Sequence, residues 1–382
     1  MPAPTSHPPK ALLHVPTLGV NDGGPPRSVS ALADSMYRNG DDVTLLYGKS
    51  EDQGEVSVAP GMTMCPYSRT SGPLSACMST ALGDKDVDLA HDSGIWGPSN
   101  LAFYRYAQQR KLPLVISPRG MLEPWAMNHH KWKKKIAWFA YQRKILHAAA
   151  AFHATANSEA EQLRKLGFRQ PIAVLPNGVN LPTLAASHHE DTTTRTLLFL
   201  SRVHVKKGIP LLLEAWSHLR PQNWKLVIAG NDDGGHAAEV VQQIKQLKLE
   251  EVAQVVGPLE NEAKEAAFLN ADAFVLPTYS ENFGIVVAEA MSYGLPVLTT
   301  TGAPWQMLRD EDCGWWVEPV TPEIEKALQQ LFACERTRRI TMGLKARELV
   351  QTHFAWPSIG ERMRAFYEHL LFKTSKPDFL YP

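Results

Sequence analysis

Residues Ala273–Thr300 read AFVLPTYSENFGIVVAEAMSYGLPVLTT. The apolar run AFVLP (273–277) is short enough and β-rich enough to be a buried strand, and PVLTT (296–300) is another. Between them Phe283-Gly284 opens the helical stretch IVVAEAM. A strand, a loop, a helix and a second strand over this length form a βαβ unit of a parallel sheet. A strand end followed by a glycine turn and a helix N-terminus is an anion site, because free backbone N–H groups and the helix dipole point at the ligand. Glu281 lies in the loop. Glu289 lies inside the helix, and its side chain leans back toward the helix mouth. An anion site that also presents two carboxylates suits a ligand bearing both phosphate and hydroxyls, such as a nucleotide sugar. The plainer alternative is a glutamate that balances the helix dipole beside an ordinary βα loop.

The same rhythm runs along the whole chain. In the first half the expected strands are ALLHV (11–15), DVTLLY (42–47), DLAH (88–91), LPLVIS (112–117), AAFHAT (150–155) and PIAVL (171–175). Helices are expected to start near Arg27, Pro73, Ser99, His130 and Ser158. In the second half the strands are TLLFLS (196–201), WKLVIAG (224–230), VAQVVG (252–257), then 273–277 and 296–300, and GWWVE (314–318). The polar stretch LPTLAASHHEDTTTRT (181–196) separates the two series and reads as a linker. The expected architecture is α/β: two Rossmann-like, doubly wound domains facing a central cleft. The expected boundaries are 1–185, 186–355 and a final amphipathic segment at 356–382. Ligands bind such sheets at the carboxyl ends of their strands.

The chain has 382 residues, ample for two cores, with 44% hydrophobic and 20% charged residues and a formal net charge of zero. That balance argues against a wholesale nucleic-acid binder. Four cysteines at 65, 77, 313 and 334 lack metal spacing and fit a reducing cytoplasm. The opening MPAPTSHPPK has no apolar core of the signal-peptide kind, and no run approaches the ~20 apolar residues of a spanning helix. The expectation is a cytoplasmic protein that meets a membrane, if at all, on its inner face. The segment 129–144, HHKWKKKIAWFAYQRK, mixes cations with aromatic residues. It reads equally as a membrane-surface helix and as a charged helix with one buried aromatic face.

Cations stand at the other strand ends. Arg202 follows TLLFLS directly, and Lys207 precedes Gly208 at the next helix start; together they suit a diphosphate, one as a fork and one as a point charge. Their alternative is a solvated basic loop, the expected role of Lys206. LGVNDGGPPRS (18–28) places Gly24 at a helix start where backbone can approach a ligand, although no G-x-G-x-x-G fingerprint is present. In SPRGMLEPW (117–125), Arg119 is a candidate contact to an anion, or else a partner of Glu123. DLAHDSGIWG (88–97) ends a strand with His91, Asp92 and Ser93. Asp310-Glu311-Asp312 has the look of a D-x-D metal motif but reads as a solvated turn, so no essential metal or other cofactor is expected.

The pattern E-x-F-G-I-x-x-x-E-A-M-x-x-G-x-P-V resembles the E-x7-E signature of retaining glycosyltransferases of the GT-B fold, in the family called GT4. LLFLSRVHVKKGIPLLLEAW (197–216), LVIAGND (226–232), VVGPLE (255–260), AVLPNGVN (173–180), GAPWQMLRDEDCGWWVEP (302–319) and HFAW (353–356) are similar to further segments of that family in the same order. The resemblance implies transfer of a hexosyl group from a nucleoside diphosphate sugar to an acceptor hydroxyl, with retention and without a metal. The acceptor implied is a saccharide or lipid-linked chain, as in lipopolysaccharide, exopolysaccharide or capsule assembly. Arg202, Lys207 and Glu281 would form the catalytic centre. Glu289, Asn282, Phe283, Gly284, Gly24 and Arg119 would bind the donor, and the last helix would cross back onto the first domain. His91 and Ser93 fall where relatives carry H-x-H-G-x-W. Ser93 replaces the second histidine, which leaves three readings open: His91 as a structural residue or a sugar contact, Ser93 as a hydrogen-bond partner of the sugar, or Asp92 in the acting role. Two other readings of the same residues stand beside transfer: an epimerase or phosphorylase of this architecture, and a non-catalytic nucleotide-sugar-binding module.

Overall fold

The computed structural model describes the chain apart from residues 1–6, 20–23, 51–53, 124–126, 128–130, 184–193 and 282. The chain divides into two compact units, one of residues 1–178 with 356–382, the other of 179–355.

In unit 1, seven strands form one all-parallel sheet: β1 (Ala11–Val15), β2 (Val43–Gly48), β3 (Thr63–Tyr67), β4 (Leu89–Ser93), β5 (Leu114–Ser117), β6 (Ala151–Ala154) and β7 (Ile172–Val174). Their order is β3-β2-β1-β4-β5-β6-β7. Helices α1 (Gly24–Arg38), α2 (Leu74–Leu82), α3 (Pro98–Gln109), α4 (Lys131–Ala137), α5 (Arg143–Ala148) and α6 (Asn157–Lys165) follow the strands. The strands are buried on both faces and therefore carry near-continuous apolar runs. β3 was not expected from the sequence. Its TMCPY contains Pro66, which reads against a strand. The strand lies at the sheet edge, where a missing N–H is tolerated.

One face of this sheet packs Leu12, Leu46, Phe103, Ile116 and Phe152 into a cluster with Tyr106 of α3 and Leu163 of α6. The other face packs Leu13, Leu45 and Val115 with Val29 and Leu32 of α1. That second cluster is completed by the final helix, α14 (Trp356–Phe372), through Ile359, Met363, Phe366 and Tyr367. The chain end then bridges Leu380 antiparallel to Ala173 and covers the open edge of β7.

The helix expected from His130 is interrupted. Between α4 and α5 lies one π-helical turn, Trp138–Gln142. Trp138, Tyr141 and Gln142, at i, i+3 and i+4, face inward together. Trp138 packs on Trp96 and Phe168, the Tyr141 hydroxyl donates to the Trp96 carbonyl at 2.6 Å, and the Gln142 side chain accepts from Trp96 N–H at 2.9 Å.

Unit 2 repeats the plan with six parallel strands: β8 (Arg195–Leu200), β9 (Trp224–Ala229), β10 (Ala253–Gly257), β11 (Ala273–Leu276), β12 (Val297–Thr300) and β13 (Gly314–Val317), in the order β10-β9-β8-β11-β12-β13. Its helices are α7 (Ile209–Leu219), α8 (His236–Gln246), α9 (Asn261–Leu269), α10 (Ile285–Ser292), α11 (Met307–Asp310), α12 (Thr321–Ala333) and α13 (Arg336–His353). In both units the strand order reverses beside the first strand, between β1 and β4 and between β8 and β11. Such a switch point opens a crevice at the strand carboxyl ends, because neighbouring connections leave to opposite faces. Each unit is a Rossmann-like α/β domain.

Candidate functional site

The switch point of unit 2 gathers the charged residues. Lys207 ends a 3-10 turn (Val205–Lys207) after β8, and Glu281 lies in the loop after β11. Backbone joins the two loops. The Tyr279 N–H donates to the Lys206 carbonyl at 2.8 Å, and the Thr278 hydroxyl donates to the same oxygen at 3.0 Å. Gly208 makes this approach possible. Its φ is +68°, and a Cβ there would stand 1.9 Å from the Pro277 carbonyl oxygen. No other residue fits that position without moving a loop. With the loops joined, the Lys207 ammonium forms an ion pair with the Glu281 carboxylate, and both side chains are largely buried. Glu281 is held from the other side as well, its N–H donating to the Gly302 carbonyl at 2.7 Å.

α10 begins four residues after Glu281. Gly284 caps it at φ +75°, a left-handed conformation that turns the chain from loop to helix. Phe283 is fixed by an aromatic cluster with Trp305 and Phe354, ring centroids 5.0 and 5.5 Å away, and its carbonyl accepts from Trp305 Nε1 at 2.6 Å. Aromatic contacts of this kind contribute about 0.5–1.5 kcal/mol each beyond area burial, so the helix mouth is rigidly placed. Asn282 lies outside the described residues. Glu289, in the second turn of α10, pairs with Lys264 of α9 at 2.7 Å. Arg202, two residues after β8, pairs with Asp233 at 2.6 Å; both are substantially exposed, and a pair of this kind contributes little to stability. Arg202, Lys207, Glu281 and Glu289 thus share one unit. Asp312 of the D-x-D stretch is held by Arg338 and Lys345, and Asp310 by Arg309. Among the described residues, no three His, Cys, Asp or Glu side chains gather as a metal site.

The unit 1 candidates lie on and around its own switch point. His91 and Asp92 are neighbours on β4 and point to opposite faces of the sheet. Asp92, buried, accepts from the Asn100 amide at 2.9 Å and is 2.7 Å from His14 Nδ1; the other His14 nitrogen meets the Tyr67 hydroxyl. His91 belongs to a second buried chain. Its Nδ1 is 2.6 Å from the Tyr367 hydroxyl, and its Nε2 is 2.7 Å from the Ser117 hydroxyl. Ser117 is also 2.7 Å from His153 Nδ1, and His153 Nε2 is 2.8 Å from the Leu175 carbonyl.

The terminal carbonyl fixes the protons along this chain. A carbonyl only accepts, so His153 carries its hydrogen on Nε2 and accepts at Nδ1. Ser117 must then donate to His153 and accept from His91 Nε2–H, and Tyr367 must donate to His91 Nδ1. Both histidines are neutral. Burial, with Arg119 nearby, holds His153 down to about 3. Burial also lowers His91 well below the ordinary histidine value, aided by His153 and Arg119. Both ring nitrogens of His91 are therefore occupied by protein.

Ser93 ends β4 and is buried. Gly24 opens α1, and a notional Cβ there would have open space among the described residues. Arg119 stands at φ +55° and donates to the Asn177 side chain at 2.7 Å; its Nε is buried with no hydrogen-bond partner among the described residues. The sequence alternative of an Arg119–Glu123 pair is replaced by Asn177. The nearby Glu159 carboxylate instead accepts from the Gly120 and Thr155 N–H groups, at 2.6 and 2.7 Å.

Lys264, Asp233, Thr278 and Trp305 were not singled out from the sequence. Lys264 belongs to a charged helix start with no motif, and Trp305 acts on the site through the ring and carbonyl of Phe283. Asp233 had a usable signal, because it directly follows the strand-end segment LVIAGND.

Comparison with known proteins gives two adjoining family matches. Residues 22–182 match the family described as Glycosyltransferase Family 4, and residues 182–348 match Glycosyl transferases group 1. A D-inositol 3-phosphate glycosyltransferase of Xylanimonas cellulosilytica is 27% identical over 245 residues, 59% of this chain and 58% of the relative. A GDP-mannose:cellobiosyl-diphosphopolyprenol alpha-mannosyltransferase of Komagataeibacter xylinus is 28% identical over 338 residues, 85% of this chain and 81% of the relative. Among solved structures, a sucrose-phosphate synthase from Thermosynechococcus elongatus superposes with a TM-score of 0.74 at 20% identity, covering 96% of this chain and 100% of that one. At that identity the likeness is one of fold.

Proposed function

The chain belongs to the group 1, family 4 glycosyltransferases, and from that premise we propose that it moves a hexosyl group from a nucleoside diphosphate sugar to an acceptor hydroxyl, retaining anomeric configuration and needing no metal. The observation that carries this reading is the Lys207–Glu281 pair at the β8/β11 switch point, beside the mouth of α10. Arg202 and Lys207 hold the diphosphate. Lys207 also offsets the charge that grows on the leaving phosphate as the bond to the anomeric carbon breaks. Glu281 and the backbone around Phe283 and Gly284 hold the donor sugar, and Glu289, oriented by Lys264, accepts from the ribose hydroxyls. The acceptor oxygen bonds to the anomeric carbon on the face the phosphate leaves, and its proton passes to that phosphate. This accounts for a site with fixed cations and no dedicated base.

The acceptor side is assigned to unit 1, with Ser93 as a sugar contact. His91 supports β4 through Ser117 and Tyr367. A saccharide or lipid-linked saccharide hydroxyl, as used in surface-polysaccharide assembly, is the acceptor class proposed. A thermal-shift panel of nucleotide sugars and free nucleotides tests the donor half, since a ligand that binds only the folded chain raises its midpoint. A shift with one diphosphate sugar well above that with its monophosphate is expected, and it would name the donor. No shift with any of them would sink the transferase reading.

A further inference from the structure

Three large apolar side chains stand in water on one stripe of unit 1: Trp132 is 65% exposed, Ile136 62% and Phe139 69%. They fall at i, i+4 and i+7, so they share one face of the helix formed by α4 and the π-helical turn. Lys133, Lys135, Arg143 and Lys144 are exposed around them, and Lys133 Nζ lies 5.5 Å from the Trp132 ring centroid. Between Glu123 and Glu159 the chain has no Asp or Glu. An apolar stripe ringed by cations with no carboxylate among them is unusual for a protein of zero net charge. Single exposed apolar residues need no explanation, but a contiguous group marks an interaction surface.

The opposite face of the same helix holds it in place. Trp138 packs against Trp96 and Phe168, and the Tyr141 and Gln142 side chains bond the backbone of Trp96, at 2.6 and 2.9 Å. Trp138, Tyr141 and Gln142 point inward while Phe139 is exposed. The exposed face is thus presented by a helix whose other side is fixed, and Trp96 links that helix to the loop after β4.

We infer that Trp132, Ile136 and Phe139, with Lys133, Lys135, Arg143 and Lys144, form a docking face for an anionic lipid bilayer, the three apolar side chains entering the headgroup boundary and the cations pairing with lipid phosphates. Charge complementarity selects this occupant: the face is cationic and apolar at once, as an interfacial helix on an anionic leaflet must be. Among the described residues no helix is long and apolar enough to cross a membrane, so the contact is one of surface docking. A nucleic acid would use the cations but leave Ile136 without a partner. A second copy of this chain would place like charges opposite one another. The inference does not depend on the transfer chemistry, since vesicle binding needs neither donor nor acceptor.

Co-sedimentation of the full chain with vesicles decides it. Binding is expected to vesicles of equal phosphatidylglycerol and phosphatidylcholine, at least tenfold tighter than to phosphatidylcholine alone, and to weaken in 0.5 M salt. The triple variant Trp132→Ser, Ile136→Ser, Phe139→Ser and the separate triple variant Lys133→Gln, Lys135→Gln, Lys144→Gln should each lose at least tenfold of that binding. Because all six side chains are exposed, both variants should keep the parent's thermal midpoint. Brominated lipid should quench tryptophan fluorescence in the parent, and less in Trp132→Phe. The inference fails if anionic vesicles do not bind the parent, or if both triple variants bind as well as it does. It fails equally if light scattering shows a dimer that the serine variant dissolves, or if nucleic acid competes away a binding that phosphatidylglycerol does not support.

Discussion

Lys207 and Glu281 lie 74 residues apart and meet because one glycine allows two loops to touch. Without a ligand, each satisfies the other's charge in a largely buried position. A bound diphosphate would offer Lys207 a second anion and leave Glu281 freer to hold a sugar hydroxyl. Loss of the lysine should therefore be felt most where charge develops. With the donor identified, Lys207→Ala is expected to lower kcat by roughly 10²-fold, with a KM rise no larger than the fall in kcat. Steady-state kinetics at saturating donor separate the two, and a change confined to KM would remove Lys207 from the leaving-group role. At this scale the position of Arg202, Lys207, Glu281 and Glu289 in one unit was legible, because each lies in a loop after a strand or in the helix that follows it, and chain order alone assigns such positions. Lys264 was not, since its pairing with Glu289 depends on how α9 lies beside α10. The Asn177 partner of Arg119 was equally hidden, as it comes from a loop 58 residues away.

Among the elements, the chain Tyr367–His91–Ser117–His153 fastens α14 to β4, β5 and β6 by three hydrogen bonds, and the Leu175 carbonyl sets the direction of all of them. The device works only with neutral imidazoles. An added proton on His153 Nδ1 would leave the Ser117 hydrogen without an acceptor. Both histidines titrate below their unfolded value of about 6.5, so above that pH neither contributes a pH dependence. Below it the unfolded chain binds protons that the folded chain refuses. Stability of unit 1 should then fall as pH drops from about 6.5 toward 3, by up to about 1.4 kcal/mol per pH unit per histidine. Thermal melts between pH 7.5 and 5 should show that decline, with a visibly shallower slope in His153→Gln even though its midpoint at pH 7.5 is lower. An unchanged slope would mean that the histidines are not the groups responsible. Twelve strands were readable as apolar β-rich runs because burial on both faces forces that composition. β3 escaped because an edge strand can carry Pro66, and the π-helical turn escaped because one inserted residue leaves no periodic trace over so short a helix.

For the molecule as a whole, the last helix belongs to the first unit. Ile359, Met363, Phe366 and Tyr367 are fully buried against the sheet face of unit 1. Burying four such side chains contributes roughly 6–12 kcal/mol as an upper estimate, comparable with the whole stability of an ordinary domain. A chain ending at Ala355 should consequently lose the cooperative transition of unit 1 in scanning calorimetry while keeping that of unit 2, whose core residues all lie within 179–355. Two transitions at unchanged temperatures would show that α14 is dispensable. By itself the sequence determined the alternation of strands and helices, hence two parallel-sheet domains, and the placement of two cations and one carboxylate in loops after strands with a second carboxylate in the following helix, because burial periodicity and turn chemistry are local properties of the chain. Only the tertiary structure decided which charges pair, that His91 is spent on a buried hydrogen-bond chain, and that Trp132, Ile136 and Phe139 face water. Those outcomes depend on contacts between residues far apart in sequence, and nothing in local composition encodes which of several compatible partners a side chain will meet.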